Sequence, residues 1–258
     1  MPIEELLDLE RYPLDRIDSA EGRRLLASCV ADLASDGMFN LVGLVRQPVL
    51  ARIIAELRPV IDTAAFTHKR LHNIYFKKSI DGLPDDHPAL RQVETVNHTI
   101  CGDQMRGSII RTIYQWPPLA EFLARAMGKP VLYTMADEIA AANVMSYRDG
   151  EALNWHFDRS EFTTTLLLQE PKIGGEFEYR TDLRSDNNPN YEGVAKLLEG
   201  NDPEAKLLKL SAGTLNVFRG KNTAHRVTTV RGDSDRIIAV FSYYERPGVM
   251  FTAEERIG

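Results

Sequence analysis

The segment NWHFDRS holds the residues whose types and spacing best fit chemistry. His156 and Asp158 are separated by one residue, so on a strand both side chains project from one face and can reach a single metal ion. His225 lies far along the chain, in or beside another predicted strand. Two imidazoles and one carboxylate on one side of a metal leave the opposite positions open. That suits ferrous iron, which must take a chelating cosubstrate and then O2. Zinc accepts the same ligand types, so the donors alone do not choose the metal. A single His-x-Asp pair is a weak signal, and a lone strand histidine is more often structural; His68, His72, His87 and His98 are read that way. Arg236 follows His225 across the turn Arg231-Gly232-Asp233, which brings the next strand alongside. A guanidinium there can take a carboxylate bidentately. The plain alternative is a surface arginine paired with Asp233 or Asp235.

Strands must carry these groups, and the sequence supplies them after Lys129. Short apolar or alternating runs (PVLYTM, AAANVMSYR, TTTLLLQ, GEFEYR, AKLLKL, GTLNVFR, HRVTTV, DRIIAVFSYYE) are parted by turn formers such as Asp149-Gly150 and Gly174-Gly175. The pattern predicts a β-sandwich or open barrel. Upstream, apolar residues recur at helical spacing from Asp18 to about Ala34, with Asp18 and Glu21 spaced as a capping box. A second helical run starts at Pro48 and is expected to kink or divide at Pro59, and a third spans Pro117 to Met127. The expectation is one domain over 1–258: a mainly helical support over 1–128, which also holds a substrate-side segment, and a β core over 129–250. The stretch from Thr181 to about Glu204 interrupts the strands and is read as a small helix or lid, with a surface insertion as the alternative.

Composition narrows the function classes. A hydrophobic content of 43% with 26% charged residues is ordinary for a globular chain, and no apolar run is long enough to span a membrane. The acidic opening MPIEELLDLERY does not read as a secretory signal, and Cys29 and Cys101 form neither a disulfide framework nor a zinc pattern. Both point to a reducing, cytoplasmic setting. A formal net charge of -6 argues against a nucleic-acid partner. The basic stretch His68, Lys69, Arg70, His72, Lys77, Lys78 is read as a solvated face, part of which could meet an anionic substrate group.

The stretches NVMSYRDGEALNWHFDRSEFTTTLLLQEPKIGGEFEYR and LKLSAGTLNVFRGKNTAHRVTTVRGDSDRIIAVFSYYE resemble the double-stranded β-helix (jelly-roll, cupin-like) core of Fe(II)/2-oxoglutarate oxygenases, over roughly residues 140 to 245. The layout is similar to that of the prolyl-hydroxylase-like branch. The resemblance implies Fe(II) held by His156, Asp158 and His225, O2 as oxidant, and 2-oxoglutarate as cosubstrate with its C5 carboxylate on Arg236. Tyr147 resembles the tyrosine that donates to the cosubstrate, or is a packing residue. Gly174 and Gly175 are read as turn residues, and Trp155 and Phe157 point away from the metal as core.

A narrower resemblance is carried by DEIAAANVMSYRDGEALNWHFD and the C-terminal FSYYERPGVMFTAEERIG. It is to the BesD-like group of iron enzymes, which halogenate or hydroxylate free amino acids. In the halogenases the carboxylate position is a glycine, which leaves a coordination site for chloride. Asp158 occupies that position here, which implies hydroxylation. The same comparison implies a free amino acid substrate, lysine or a similar one, with an acidic group for its ammonium. Glu138 is the first positional candidate and Asp137 the second, or the two form an ordinary strand-edge pair. Arg159, directly after the metal aspartate, departs from the acid expected for lysine. For the substrate carboxylate, Arg91 leads Asn73 and His98, with a solvated charge as its alternative. Hydroxylation of a protein side chain, and a non-catalytic metal-binding barrel that senses a ligand, are the competing readings. A homodimer is left open.

Overall fold

The computed structural model describes residues 1–252; residues 253–258, the end of the C-terminal stretch quoted above, lie outside the described residues. The helices are α1 (Ile3–Leu6), α2 (Ala20–Ser35), α3 (Gln47–Ala64), α4 (Ile109–Tyr114), α5 (Pro117–Ala126) and α6 (Tyr191–Leu198). The strands of the first half are β1 (Met38–Leu41), β2 (Phe66–His72) and β3 (Val93–Ile100). Then follow β4 (Tyr133–Thr134), β5 (Ala142–Tyr147), β6 (Leu153–His156), β7 (Thr163–Gln169), β8 (Phe177–Arg180), β9 (Lys206–Leu208), β10 (Leu215–Phe218), β11 (Ala224–Val227), β12 (Arg236–Phe241) and β13 (Tyr243–Tyr244).

Two antiparallel sheets form the centre. The seven-stranded sheet runs β1-β10-β7-β12-β5-β3-β2, and the four-stranded one β6-β11-β8-β9. From β5 to β12 the chain passes repeatedly between them, so residues distant in sequence meet in the space between. Strand alternation sorts the side chains. On β12, Arg236, Ile238 and Val240 line the space between the sheets, while Ile237, Ala239 and Phe241 join the helices in the large outer core. On β10, Asn216 and Phe218 face inward, and Leu215 and Val217 face that outer core. A smaller cluster including Leu167, Phe177, Phe218 and Ile238 packs the sheets together.

The helical support is less helical than its sequence suggested. Residues 1–128 also give β1, β2 and β3, which extend the large sheet on both edges. The β2 run FTHKRLH hides its strand character because its inward face, Phe66, His68, Arg70 and His72, is mostly polar. Helix α2 starts after Ser19, whose side chain accepts from the Gly22 amide, so the cap is Ser19 and not the Asp18–Glu21 box. Helix α3 runs on through Pro59 undivided. Its buried face (Val49, Leu50, Ile53, Leu57, Ile61) is continuous, and Pro59 lies on the exposed side, where water can serve the carbonyl left without a partner. In the insertion after Thr181, α6 buries Val194 and Leu197 with Ile74, Trp155 and Phe157 against the outside of the four-stranded sheet. Trp155 and Phe157 thus pack away from the metal-facing side.

Candidate metal centre and its cavity

Pairing of β6 with β11 sets His156 directly opposite His225, their ring centroids 4.1 Å apart. Asp158 lies just past the end of β6, its backbone N–H donating to the Gly220 carbonyl at 3.0 Å. Its Oδ1 is 3.4 Å from His156 Nε2 and its Oδ2 is 3.4 Å from His225 Nε2. The three donor atoms all lie within 4.8 Å of one another, and among the described residues this is the one such group of three or more. Neighbouring donors about 2.0–2.2 Å from a common ion stand roughly 3–3.5 Å apart, which the carboxylate and each imidazole already match at 3.4 Å.

Each histidine is oriented by its own strand. His156 Nδ1 is 2.8 Å from the Asn154 carbonyl, and His225 Nδ1 is 3.0 Å from that of Thr223. A carbonyl only accepts, so both rings carry hydrogen on Nδ1 and turn a bare Nε2 inward, as ligands must. Burial lowers the pKa of His156, and the neighbouring His225 adds to this, which favours the neutral form that binds metal. Burial alone would raise the Asp158 carboxyl, but the two imidazoles outweigh it and hold it well below the usual carboxylate range. Thr163 Oγ1 donates to Asp158 Oδ2. Gly220 is needed here, since a Cβ would overlap both Asp158 Oδ2 and Thr163 Oγ1. Gly220→Ala is therefore expected to displace the carboxylate and weaken iron binding by about 10–100-fold, the range seen when supporting contacts of metal ligands are lost. Anaerobic iron titration measures this, and an unchanged affinity would show that Asp158 need not hold its present position.

The triad opens on a cavity of about 360 Å³ between the sheets. Arg236 lies on its wall, 2% exposed. Its Nε donates to the Gly175 carbonyl at 2.9 Å, while its buried Nη1 has no partner. Asp233 pairs with Lys172 and Asp235 with Arg58, so the surface ion-pair alternative for Arg236 does not hold. Burial pulls its pKa down to about 10, which leaves a guanidinium still charged at neutral pH and without a carboxylate partner among the described residues. Gly175 does more than turn the chain: a Cβ there would meet Arg236 Cδ at 3.1 Å and Pro171 Cγ at 2.6 Å, at a φ of +68°. Tyr147 is the cross-strand partner of Arg236, 1% exposed on the cavity wall, and burial pushes its phenol up to about 12, so it keeps its proton.

The remaining sequence candidates lie outside this wall. Glu138 is half exposed and paired with Arg106 and Arg111. Asp137 is buried, but its carboxylate accepts from the backbone N–H groups of Ile139 and Phe251. Arg91 is exposed. None of the three lines the cavity. Asn73 accepts from the N–H groups of Tyr75 and Lys77 and so shapes a loop, and His98 pairs with Glu151 on the opposite face of β3. In their place the structure brings forward Arg70 and His72 from β2, Thr95, Asn97 and Thr99 from β3, and Asn216, whose buried amide has no partner at either end. For those on β2 and β3 the sequence signal was a run of mostly polar residues, a pattern that equally describes a solvated face, and nothing marked Asn216 within its apolar strand.

The fold, two sheets around a two-histidine, one-carboxylate centre, is that of the Fe(II)/2-oxoglutarate oxygenases. It matches a 2OG-Fe(II) oxygenase family oxidoreductase from Burkholderia pseudomallei at 16% identity and a TM-score of 0.53, covering 86% of this chain and 92% of that one. A Pseudomonas putida prolyl-4-hydroxylase matches at 15% and 0.51, covering 84% and 97%. The non-heme alpha ketoglutarate dependent epimerase SnoN from nogalamycin biosynthesis matches at 14% and 0.58, covering 86% and 83%. Within that class the chain belongs to the Halogenase D family, whose model matches residues 22–250. No curated protein matches it in sequence.

Proposed function

We propose that the chain is an Fe(II)/2-oxoglutarate-dependent hydroxylase of an unactivated C–H bond in a free amino acid, built on a double-stranded β-helix core. The observation that carries this reading is the Arg236 guanidinium, charged, buried and unpaired at Nη1, on the wall of the cavity that also holds the triad. A buried unsatisfied donor costs about 1–3 kcal/mol, more when charged, and an anionic ligand removes that cost. His156, Asp158 and His225 would hold Fe(II), and Arg236, with Tyr147 beside it, the distal carboxylate of 2-oxoglutarate. Bound iron, 2-oxoglutarate and O2 supply the oxidation that breaks the C–H bond. The protein supplies orientation and exclusion of water.

Asp158 supports hydroxylation over halogenation within a family named for halogenases, because its carboxylate fills the position that the resemblance leaves to chloride. A cavity of only about 360 Å³, part of which 2-oxoglutarate would fill, favours a free amino acid over a protein side chain. Arg70, on the same wall, is the cation for the substrate carboxylate, in place of Arg91. Lysine stays in the screen on resemblance, although the acid chosen for its ammonium, Glu138, is engaged elsewhere. The test is substrate-dependent succinate formation with each of the twenty amino acids, with products weighed by mass spectrometry in the presence of chloride and bromide. A gain of one oxygen is expected. A halogenated product would overturn the role given to Asp158, and turnover of peptides alone would overturn the free amino acid.

A further inference from the structure

Phe76 is a bulky residue held at a φ of +56°, a region that costs any side chain with a Cβ and is rarely entered by aromatic ones. The cause lies three residues earlier. Asn73, 1% exposed, accepts from the N–H groups of Tyr75 and Lys77 at 3.1 Å each and donates from Nδ2 to the Lys77 carbonyl, which pins the loop around its own side chain. Tyr75 holds the loop from outside, donating to the Pro189 carbonyl and packing on Phe157 and Tyr191. The strained backbone sets the Phe76 ring against two inward residues of β2. His72 stacks on it at 4.7 Å with planes 16° apart, and the Arg70 guanidinium carbon lies 4.6 Å from its centroid. On the metal side the ring stands 6.3 Å from that of His156, edge to face. Phe76 remains 41% exposed, so the burial of this ring does not account for the strain.

We propose that Phe76 is a positioning residue for substrate binding: its ring, fixed by the Asn73 clamp, holds the Arg70 guanidinium over the cavity so that it meets the substrate carboxylate already oriented. This rests on the reading of Arg70 given above. A guanidinium on a long, flexible stem loses much rotamer freedom when a ligand fixes it, and stacking on an aromatic face removes part of that freedom beforehand. His72 buttresses the other member of the stack, its Nε2 2.8 Å from Thr95 Oγ1 and its Nδ1 3.1 Å from the Asn73 carbonyl.

The experiment uses the whole chain with Fe(II) and 2-oxoglutarate, and the amino acid among the twenty that gives the fastest succinate formation. Phe76→Leu is expected to raise KM for that amino acid about three- to tenfold, the span of a cation–π contact, with kcat and KM for 2-oxoglutarate unchanged; Phe76→Tyr restores it. Phe76→Gly, which relieves the backbone, should match or exceed the parent in thermal stability while showing the same rise in KM. Arg70→Gln should raise KM by itself, and adding Phe76→Leu to it should have no further effect. If Arg70→Gln leaves KM unchanged, or no amino acid is turned over, the underlying reading fails and the proposal with it. If Arg70→Gln acts but Phe76→Leu does not, or the two effects add in full, Arg70 binds the carboxylate unaided and the role of Phe76 is overturned alone.

Discussion

Arg236→Met is expected to remove 2-oxoglutarate binding without weakening the ligand-free protein. The guanidinium is buried, carries an unpaired Nη1 and has its charge opposed by burial, so the parent bears a standing cost that only an anion relieves. Methionine fills similar apolar space and leaves only the Gly175 carbonyl short of its donor. Losing one partner of a buried charged pair costs about 2–5 kcal/mol, which corresponds to a rise in KM for 2-oxoglutarate from roughly 30-fold to several thousandfold. The midpoint of ligand-free unfolding should be at or above that of the parent, and the upward shift that 2-oxoglutarate gives the parent should vanish. A variant that keeps its 2-oxoglutarate affinity, or that simply unfolds earlier, would make Arg236 a structural arginine.

Asp158→Ala is expected to abolish both iron retention and succinate formation. Its carboxylate stands 3.4 Å from each imidazole nitrogen and is the sole negative charge in the triad, so two neutral histidines would be left to hold a dication. The loss in iron affinity should exceed the 10–100-fold assigned to disturbance of a supporting contact. Metal analysis after gel filtration, together with oxygen consumption, reads both effects. Full turnover by this variant would mean that the metal lies elsewhere.

The triad was legible because the spacing of His156 and Asp158 is local: the alternation expected of a shared strand persists although Asp158 stands just past the end of β6, and the order of motifs supplied His225. Arg236 was legible for the same reason, through a turn of known length. The extension of the large sheet by β2 and β3 was not, because these strands turn polar side chains toward a cavity, and a polar strand face looks the same whether it meets water or a ligand. Glu138 and Asp137 were chosen by position along the chain, but the turn between β4 and β5 gives one to Arg106 and Arg111 and the other to backbone N–H groups. Asn73 was a candidate for the substrate carboxylate behind Arg91, and what it binds is its own loop.

The pairing of His156 with His225 also bears on how the chain stays folded. Between these two residues lie β7, β8, α6, β9 and β10, so one ion held by both would close this whole stretch into a ring. Closure of so long a loop removes much of the freedom of the unfolded chain, as a crosslink would, and the benefit grows with loop length. Iron held there would therefore act as a clasp on the architecture as well as a reagent. Its loss would be felt first as breathing of the four-stranded sheet, which contributes both histidines and has only short strands to hold it together.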